Sequence, residues 1–333
     1  MKKYKFDRAI HSAFEYLLVN YPECFVIGQG LWSPWYVGNT MTDLDKRFGV
    51  DRIIDTPVSE SACTGLAVGA SLAGMKPIVV QPRMDFMLYA MDAIVNQAAK
   101  WSHMLGGQAN ASVTFRGIIN RGGEQGAQHS QALHAWFAHV PGLRVVMPST
   151  VADARDMLIS SVLCNDPVMY IDDRWLYEQE AELPPIVELK LQSQGPKITR
   201  PGNDITIVGS GHASLLAREA TKFISEKCLC SPELVDVRVL NPFNADVIIN
   251  SVMKTQHLLV IDSGWISAGF SAEIIAKVVE KLPVNCLKAP PCRIALPDAP
   301  APSSPVLEKN YYLKVDDIIK KILELTSINK KLK

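Results

Sequence analysis

Three of the chain's seven histidines stand five residues apart in one short segment, residues 124–142, which reads EQGAQHSQALHAWFAHVPG. Imidazoles that share a metal ion on a helix need a spacing of three or four residues, because only those side chains lie on one face. A step of five residues turns a helix by about 500°, so neighbouring imidazoles diverge by roughly 140°. His129, His134 and His139 are therefore predicted to have three separate roles rather than one shared metal ion.

Glu60 is a second chemical candidate, since it follows a predicted strand and opens a predicted helix in TPVSES, residues 56–61. The helix dipole alone stabilises an acidic residue in the first turn, and this is one interpretation. Its sequence neighbours are nearly all small and uncharged, and a partly desolvated carboxyl group in such surroundings suits proton transfer near neutral pH. The spacing leaves both interpretations open.

The helix that Glu60 opens is rich in small residues over SACTGLAVGASLAG, residues 61–74. Gly65 and Gly69 lie four residues apart and so share a face, where a second helix can approach closely. This close contact either joins two subunits or borders a cofactor, or else it lies within the chain.

Nucleotide-binding motifs are incomplete in this sequence. GSGHAS, residues 209–214, follows a strand and opens a helix like a dinucleotide fingerprint, but Ser214 stands where the third glycine belongs. A tight strand-to-helix turn explains the segment, and a nicotinamide dehydrogenase is the weaker alternative. Cys228 and Cys230 form a single Cys-x-Cys pair, which does not indicate a zinc site.

Two blocks of alternating strands and helices must position these residues. The first block has short apolar runs bounded by Gly, Pro or Asp, namely CFVIGQG, RIIDTPV, KPIVVQP, SVTFRGII, LRVVMPS and PVMYIDD. Its helices are predicted over SACTGLAVGASLAG, DFMLYAMDAIVNQAAKWSHML, HSQALHAWFAHV and TVADARDMLISSVL. Continuous apolar character in the runs indicates a parallel sheet covered on both faces.

The second block repeats the alternation from DITIVGSG to GFSAEIIAKVVEKL. Between the blocks, residues 183–204 are rich in Pro, Gly and polar residues, which is typical of a connection. We therefore predict an α/β chain with a doubly wound domain over residues 1–185, a linker over 186–203 and a second α/β domain over 204–333.

The bulk composition excludes several classes of partner. The formal net charge is zero, so no overall field favours nucleic acid or an anionic membrane. Charged residues interrupt the apolar run of residues 1–20, which predicts an amphipathic helix rather than a signal peptide, and no run approaches the roughly 18 apolar residues of a membrane span. Seven cysteines without a secretion signal indicate reduced thiols and a cytoplasmic location.

Five landmarks follow one another along the chain: RIIDTPVSE, DAIVNQAAK, AQHSQALHAWFAHVPGLRVVMPS, SVMKTQHLLVIDSGW and DAPAPSSPVLEKN. Together they resemble the β subunit of thiamine-diphosphate-dependent 2-oxoacid dehydrogenases, the family of pyruvate and branched-chain 2-oxoacid dehydrogenases. The resemblance implies a pyrimidine-binding domain of transketolase type followed by a transketolase C-terminal-like domain. It also implies an α₂β₂ assembly with a β–β dimer, in which an α subunit shares the thiamine diphosphate. The Mg²⁺ and diphosphate site belongs to that α subunit, through a Gly-Asp-Gly…Asn motif that this chain lacks.

The resemblance gives roles to individual residues. Glu60 would hydrogen-bond the aminopyrimidine ring of the cofactor and so activate it, and Phe86 would pack on that ring. His129 would face the reacting carbon. Gln29 stands after the first strand, where the family has acidic residues near the cofactor, and is assigned to the cofactor site.

Two further sets of residues follow from the same resemblance. The carbonyl groups aligned with a potassium site of some relatives are those of Val113, Ser161, Val162, Cys164 and Asp166. His134 and His139 are interpreted as packing or capping residues, because a helix C-terminus favours positive charge at His139.

Several segments depart from the family pattern, and three of them contain an arginine. Arg83 precedes Phe86, Arg121 lies in a loop, and Arg174 follows the last strand of the first block. Guanidinium groups suit carboxylate and phosphate. We therefore hypothesise a substrate or acceptor that is bulkier or more anionic than pyruvate.

The implied function is the decarboxylation of a 2-oxoacid and transfer of the acyl unit to a lipoyl group of an acyltransferase core, by a chain active only with its α subunit. An alternative is a transketolase-like subunit that transfers a two-carbon unit to a sugar or another carbonyl acceptor. A catalytically silent assembly module would keep the subunit contacts without needing Glu60. Near the end of the chain, Lys330, Lys331 and Lys333 either dock an acidic partner or form a solvated tail.

Overall fold

The computed structural model describes residues 3–326, and its elements confirm the two α/β blocks. The strands are β1 (Lys3–Lys5), β2 (Cys24–Gly28), β3 (Ile53–Asp55), β4 (Lys76–Gln81), β5 (Thr114–Ile119), β6 (Arg144–Val146), β7 (Val168–Asp173), β8 (Glu180–Glu182), β9 (Lys197–Arg200), β10 (Ile205–Gly209), β11 (Pro232–Asp236), β12 (Val239–Asn241), β13 (Leu258–Trp265) and β14 (Cys292–Leu296). The prediction for Lys330, Lys331 and Lys333 lies outside the described residues.

The α-helices cover the faces of the sheets formed by these strands. They are α1 (Phe6–Asn20), α2 (Leu44–Phe48), α3 (Glu60–Leu72), α4 (Ala99–Met104), α5 (His134–Ala138), α6 (Val151–Leu163), α7 (Gly211–Glu226), α8 (Asp246–Thr255), α9 (Phe270–Val279), α10 (Pro305–Tyr311) and α11 (Val315–Leu325). The amphipathic helix predicted near the start of the chain is α1, which buries Phe6, Ile10 and Leu17. No helix within residues 3–326 is long and apolar enough to cross a membrane.

The first block forms a sheet of order β12-β6-β7-β5-β4-β2-β3. The pairs β6–β7, β7–β5, β5–β4, β4–β2 and β2–β3 are all parallel. Strands β2, β5 and β7 are buried along their whole length, and β4 is buried beyond its first residue. Burial on both faces requires continuous apolar runs, so the doubly wound α/β fold predicted from those runs is confirmed.

Two segments of the first block are less regular than their apolar patterns predict. Residues 85–105 are divided into a 3₁₀ stretch (Met84–Ala90), a π-helical stretch (Asp92–Ala98) and α4. In the helix predicted over residues 129–140, only α5 is helical. The backbone N–H of Gln131 donates to the Asp85 carboxylate at 3.1 Å instead of to a helical carbonyl, which explains the later start.

The second block forms a sheet of order β14-β13-β10-β11-β9. The first four strands pair in parallel, whereas β9 runs antiparallel to β11. β9 lies inside residues 186–203, so the segment predicted to be a linker contributes an edge strand. The side chains of β9 are mostly exposed, and a solvent-facing edge strand gives little apolar signal in the sequence.

Contacts divide the chain into two compact units. The first comprises the described residues up to Arg121, together with residues 128–194 and 240–242. The second comprises residues 122–127 and 195–239 and the described residues from Phe243 onward. This division is discontinuous in sequence, since β12 lies at the edge of the first sheet, and the boundaries predicted at 185 and 204 stay a prediction.

Candidate active site

The carboxyl ends of β2 and β4 mark the point where the first sheet changes direction. From β2 the chain continues to β3 on one side, and from β4 it continues to β5 on the other. In doubly wound sheets a crevice opens at such a point, and ligands bind outside the carboxyl ends of the strands. Gln29 directly follows β2 and is 8% exposed. The next residue, Gly30, has a φ of 66°, and a Cβ there would lie 2.1 Å from the Tyr36 ring.

Glu60 reaches the same edge of the sheet from β3, the neighbour of β2. It is the first residue of α3, and it lies on the buried face of this helix, which packs against β4 and the 3₁₀ stretch. Its exposure is only 7%, yet no hydrogen bond or ion pair within residues 3–326 reaches its carboxyl group. The carboxyl group of this largely buried residue can therefore bind a donor on a ligand.

Phe86 and His129 are distant in sequence and lie in ring contact. Their centroids are 5.3 Å apart and their planes meet at 87°, an edge-to-face arrangement. The 3₁₀ stretch that carries Phe86 packs closely on β5, because a Cβ at Gly117 would lie 2.7 Å from the Met87 sulfur. Phe86 is half-buried, and so is the imidazole at its edge. This pair presents an aromatic surface with a titratable group beside it.

Asp85 supports this pair, although no sequence motif assigns it a role. Its Oδ1 accepts hydrogen bonds from the backbone N–H and the Nε2 of Gln131, at 3.1 and 2.9 Å, which ties the 3₁₀ stretch to the loop of His129. Its Oδ2 is buried without a hydrogen-bond partner. Burial raises the pKa of Asp85, whereas the Gln131 hydrogen bonds and the nearby His129 lower it, and burial prevails. An acidic residue directly before Phe86 was the only signal in the sequence.

Comparisons with known proteins give the family. The models for the transketolase pyrimidine binding domain and the transketolase C-terminal domain match residues 2–179 and 196–318. The mitochondrial pyruvate dehydrogenase E1 component subunit beta of Bos taurus is 34% identical over 305 residues, covering 91% of this chain and 81% of its own. The Saccharomyces cerevisiae counterpart is 34% identical over 96% of this chain and 88% of its own. The chain belongs to the E1 β-subunit family of 2-oxoacid dehydrogenases.

Solved structures of lower identity share the fold of this E1 β chain. A split-gene transketolase, described as an inactive β4 tetramer, aligns with a TM-score of 0.77 and 19% identity over 97% of this chain and 99% of its own. Transketolase from Leishmania mexicana aligns with a TM-score of 0.71 and 18% identity over 98% of this chain and 46% of its own. At such identities the likeness establishes the two-domain α/β fold alone.

The other two histidines of residues 124–142 have separate surroundings in this E1 β chain. His134 is 1% exposed and begins α5, whereas His139 is exposed and caps the C-terminus of the same helix. No group of three or more His, Cys, Asp or Glu side chains arranged for a metal ion occurs among residues 3–326. The two histidines thus differ in burial and position, and the role of each stays a prediction.

The three arginines that depart from the family pattern are not equivalent. Arg121 is buried, forms an ion pair with Asp173 at 2.8 Å and lies over the Trp175 ring at 5.7 Å. It therefore stabilises the fold, and the hypothesis of three ligand-binding arginines is wrong at this position. Arg83 and Arg174 are half-buried at the edge of the sheet.

The potassium site implied by the resemblance would use the carbonyl groups of Val113, Ser161, Val162, Cys164 and Asp166. The Val162 carbonyl accepts a hydrogen bond from the Lys76 ammonium at 3.5 Å, and the Val113 carbonyl accepts the backbone N–H of Val168 at 3.0 Å. A lysine charge repels a second cation from the same carbonyl groups. These contacts at Val162 and Val113 do not favour K⁺, and the site stays a prediction.

The outer face of α3 is exposed and carries small side chains. A Cβ at Gly65 or Gly69 would meet nothing within 4 Å, so the close contact predicted for these glycines does not lie within the described chain. Leu66 on this face is 57% exposed, and Val58 just before the helix is 79% exposed. Exposed apolar side chains beside a flat helix face are typical of a protein interface.

Proposed function

We propose that this chain is the β subunit of a thiamine-diphosphate-dependent 2-oxoacid dehydrogenase, which decarboxylates a 2-oxoacid and passes the acyl unit to a lipoyl group. The observation that carries the proposal is Glu60, a largely buried residue beside a ligand crevice, whose carboxyl group has no hydrogen bond or ion pair within residues 3–326, in a chain of this family. The full-length similarity to pyruvate dehydrogenase E1 β subunits favours this function over transfer to a sugar, because the transketolase structures share only the fold.

The residues of the crevice fit one end of the cofactor. When bound, thiamine diphosphate supplies the carbanion chemistry that makes decarboxylation feasible. In our proposal, Glu60 would hold a proton at the pyrimidine ring nitrogen and act as a general acid. Phe86 packs on the ring, and Gln29 borders it. His129 stands at the edge of Phe86, where it moves a proton at the substrate or at the incoming lipoyl group.

The proposed complex needs an α subunit, because this chain has no Gly-Asp-Gly motif for Mg²⁺ and the diphosphate. We propose that α3 docks this partner through Gly65 and Gly69, in an α₂β₂ assembly with a β–β dimer that also engages a lipoyl acyltransferase core. Replacing Gly65→Leu should prevent the α subunit from co-purifying, while the melting temperature of the isolated chain changes little, because the added side chain points into open space. Co-purification at an unchanged ratio would place the partner elsewhere.

A direct test of function is reconstitution with an α subunit that carries the Gly-Asp-Gly…Asn motif. The complex with thiamine diphosphate and Mg²⁺ should release CO₂ from 2-oxoacids and acylate a free lipoyl domain, and each chain by itself should be inactive. Transfer of a two-carbon unit to an aldehyde acceptor without lipoyl acylation would establish the transketolase-like alternative instead.

The compartment of the protein is a separate proposal. The seven cysteines are free thiols, which supports a reducing compartment such as the cytoplasm. The relatives from Bos taurus and Saccharomyces cerevisiae are named as mitochondrial proteins. Cell fractionation with an antibody against this chain distinguishes the two locations.

A further inference from the structure

Arg83 and Arg174 enter the same crevice from different strands. Arg83 follows β4, and its carbonyl accepts the backbone N–H of Phe86 at 3.2 Å. Arg174 directly follows β7, and its Nη2 donates to the carbonyl of Tyr36, in the loop after β2. The strand order β7-β5-β4-β2 is parallel throughout, so the residues that follow β4 and β7 lie at the same carboxyl edge of the sheet, two strands apart. Burial lowers the pKa of Arg174, and the charge of Arg83 acts in the same direction.

Neither arginine forms a close ion pair within residues 3–326, although the charge of Asp172, which is paired with Arg116, acts on Arg174. Within the described residues, no ion pair joins Arg83 or Arg174 to a carboxylate, and Arg174 Nε is buried without a hydrogen-bond partner. The two carboxylates at the end of β7 are already paired, Asp172 with Arg116 and Asp173 with Arg121, each at 2.8 Å.

Two like charges at a partly dry edge repel each other, and a buried N–H donor without an acceptor is unfavourable. An anion with several oxygen acceptors would relieve both effects. Arginine presents parallel N–H donors that match the two oxygens of a carboxylate, which is why it binds such groups more specifically than lysine does.

We infer that Arg83 and Arg174 bind a second anionic group of the substrate, the distal carboxylate of a dicarboxylic 2-oxoacid. This inference rests on the proposed function. The reacting carboxylate leaves as CO₂, so holding it with two arginines would stabilise the reactant more than the transition state. A fixed pair of guanidinium groups instead suits an anion that persists through the reaction. The position of the guanidinium pair beside Phe86 places that anion within reach of the proposed reaction centre.

Substrate choice by the reconstituted complex tests the inference. 2-Oxoglutarate and 2-oxopentanoate have the same number of carbons, but only the first carries a distal carboxylate. We expect kcat/KM to favour 2-oxoglutarate by about tenfold or more, as a charged hydrogen-bonded group warrants. Arg83→Gln and Arg174→Gln should each lower kcat/KM for 2-oxoglutarate by about ten- to hundredfold, and that for 2-oxopentanoate by less than about threefold. Arg47→Gln, at an exposed ion pair with Glu15, is the matched control.

A binding measurement without cofactor separates recognition from turnover. Calorimetry on the full chain should detect saturable binding of glutarate that Arg174→Gln abolishes and Arg174→Lys only weakens, since lysine keeps the charge but not the paired donors. Inorganic phosphate should compete weakly. Tighter binding of phosphate than of glutarate would overturn the carboxylate assignment in favour of a phosphorylated substrate.

The two proposals fail in different ways. If the complex decarboxylates 2-oxopentanoate as well as 2-oxoglutarate, and the arginine variants leave the ratio unchanged, the dicarboxylate site is refuted and the dehydrogenase function stands. If no 2-oxoacid is decarboxylated, the proposed function is refuted, whatever the chain binds in calorimetry.

Discussion

The carboxyl ends of the two sheets share a strand–turn–helix architecture but differ in how their polar groups are paired. In the second sheet, Asp236 at the end of β11 accepts a hydrogen bond from the Ser214 hydroxyl at 2.9 Å. Asp262 in β13 accepts the backbone N–H groups of Gly264 and Ser271 at 2.9 and 2.8 Å. These carboxylates are used to hold turns and helix starts in place.

The corresponding edge of the first sheet leaves polar groups open. Glu60 has no partner in the described chain, and Asp85 Oδ2 and Arg174 Nε are buried without hydrogen bonds. Buried polar groups in proteins are nearly always paired, so the unpaired atoms beside this crevice indicate that a ligand completes them. The carboxylates Asp236 and Asp262 of the second sheet have a structural role. Ser214, in the position of a third glycine, takes part in that pairing, which argues against a dinucleotide site there.

The largest expected effect comes from Glu60→Gln, at the open edge. Losing a proton-transfer group typically lowers a rate by about 10²- to 10⁴-fold, and we expect a loss of kcat in this range in the reconstituted complex. Stability should hardly change, because the carboxyl group has no protein partner to lose. Full activity with an intact complex would show that Glu60 serves only the helix.

The second largest effect, on the free energy of unfolding, is expected at the buried ion pair of Arg116 and Asp172 in the first sheet. Arg116 Nε and Nη2 donate to both oxygens of Asp172 at 2.9 and 2.8 Å, and both side chains are completely buried. Asp172→Asn leaves a buried guanidinium charge uncompensated, which should lower the free energy of unfolding by about 3–5 kcal/mol in a denaturant titration. Asp43→Asn, at an exposed ion pair with Lys46, should cause no measurable change.

A smaller effect is expected at the paired edge of the second sheet. Ser214→Ala removes one donor from the buried Asp236 carboxylate and should lower the free energy of unfolding by about 1–2 kcal/mol. The kcat of the complex should stay the same, because this edge has no proposed catalytic role. A selective loss of activity at unchanged stability would contradict the division between a structural and a functional edge.

The smallest effect is a gain of stability at Asp85, with a defined pH dependence. Its pKa is raised in the folded chain, so its contribution to stability is fully present below the ordinary value of 3.8 and is lost as the pH rises through the folded pKa. Asp85→Asn keeps the acceptor for Gln131 and removes the charge. It should raise the free energy of unfolding by about 1 kcal/mol at pH 7 and by less at pH 4. A less stable variant at pH 7 would show that the charge of His129 compensates that of Asp85.

Much of the fold follows from the sequence because parallel strands buried on both faces leave continuous apolar runs. Glycine and helix-start patterns also located α3 and α7 to within one or two residues. The signal fails where burial is one-sided or the contact is distant. β9 is mostly exposed, and β12 joins the first sheet from beyond the start of the second block.

The candidate site is predictable in part for a similar reason. Gln29 directly follows β2 and Glu60 opens the helix after β3, so their edge of the sheet can be inferred from the strand order of a doubly wound fold. Whether each arginine is paired cannot be inferred in this way, because the pairing depends on which carboxylate a neighbouring strand supplies. Arg121 has Asp173 beside it in the structure, whereas Arg174 faces a carbonyl of a distant loop.

The loop over residues 31–43 is held by hydrogen bonds at its base and is exposed to solvent at its tip. Arg116 Nη1 donates to the Thr40 hydroxyl at 2.8 Å, and the Trp32 indole donates to the Ile53 carbonyl at 2.8 Å, while Trp35 remains 69% exposed. A protein that binds this loop would contact a preorganised surface, so ordering the chain would reduce the association free energy only a little. Substitution of the aromatic residues at the tip can therefore change which protein binds without disturbing the interior beneath.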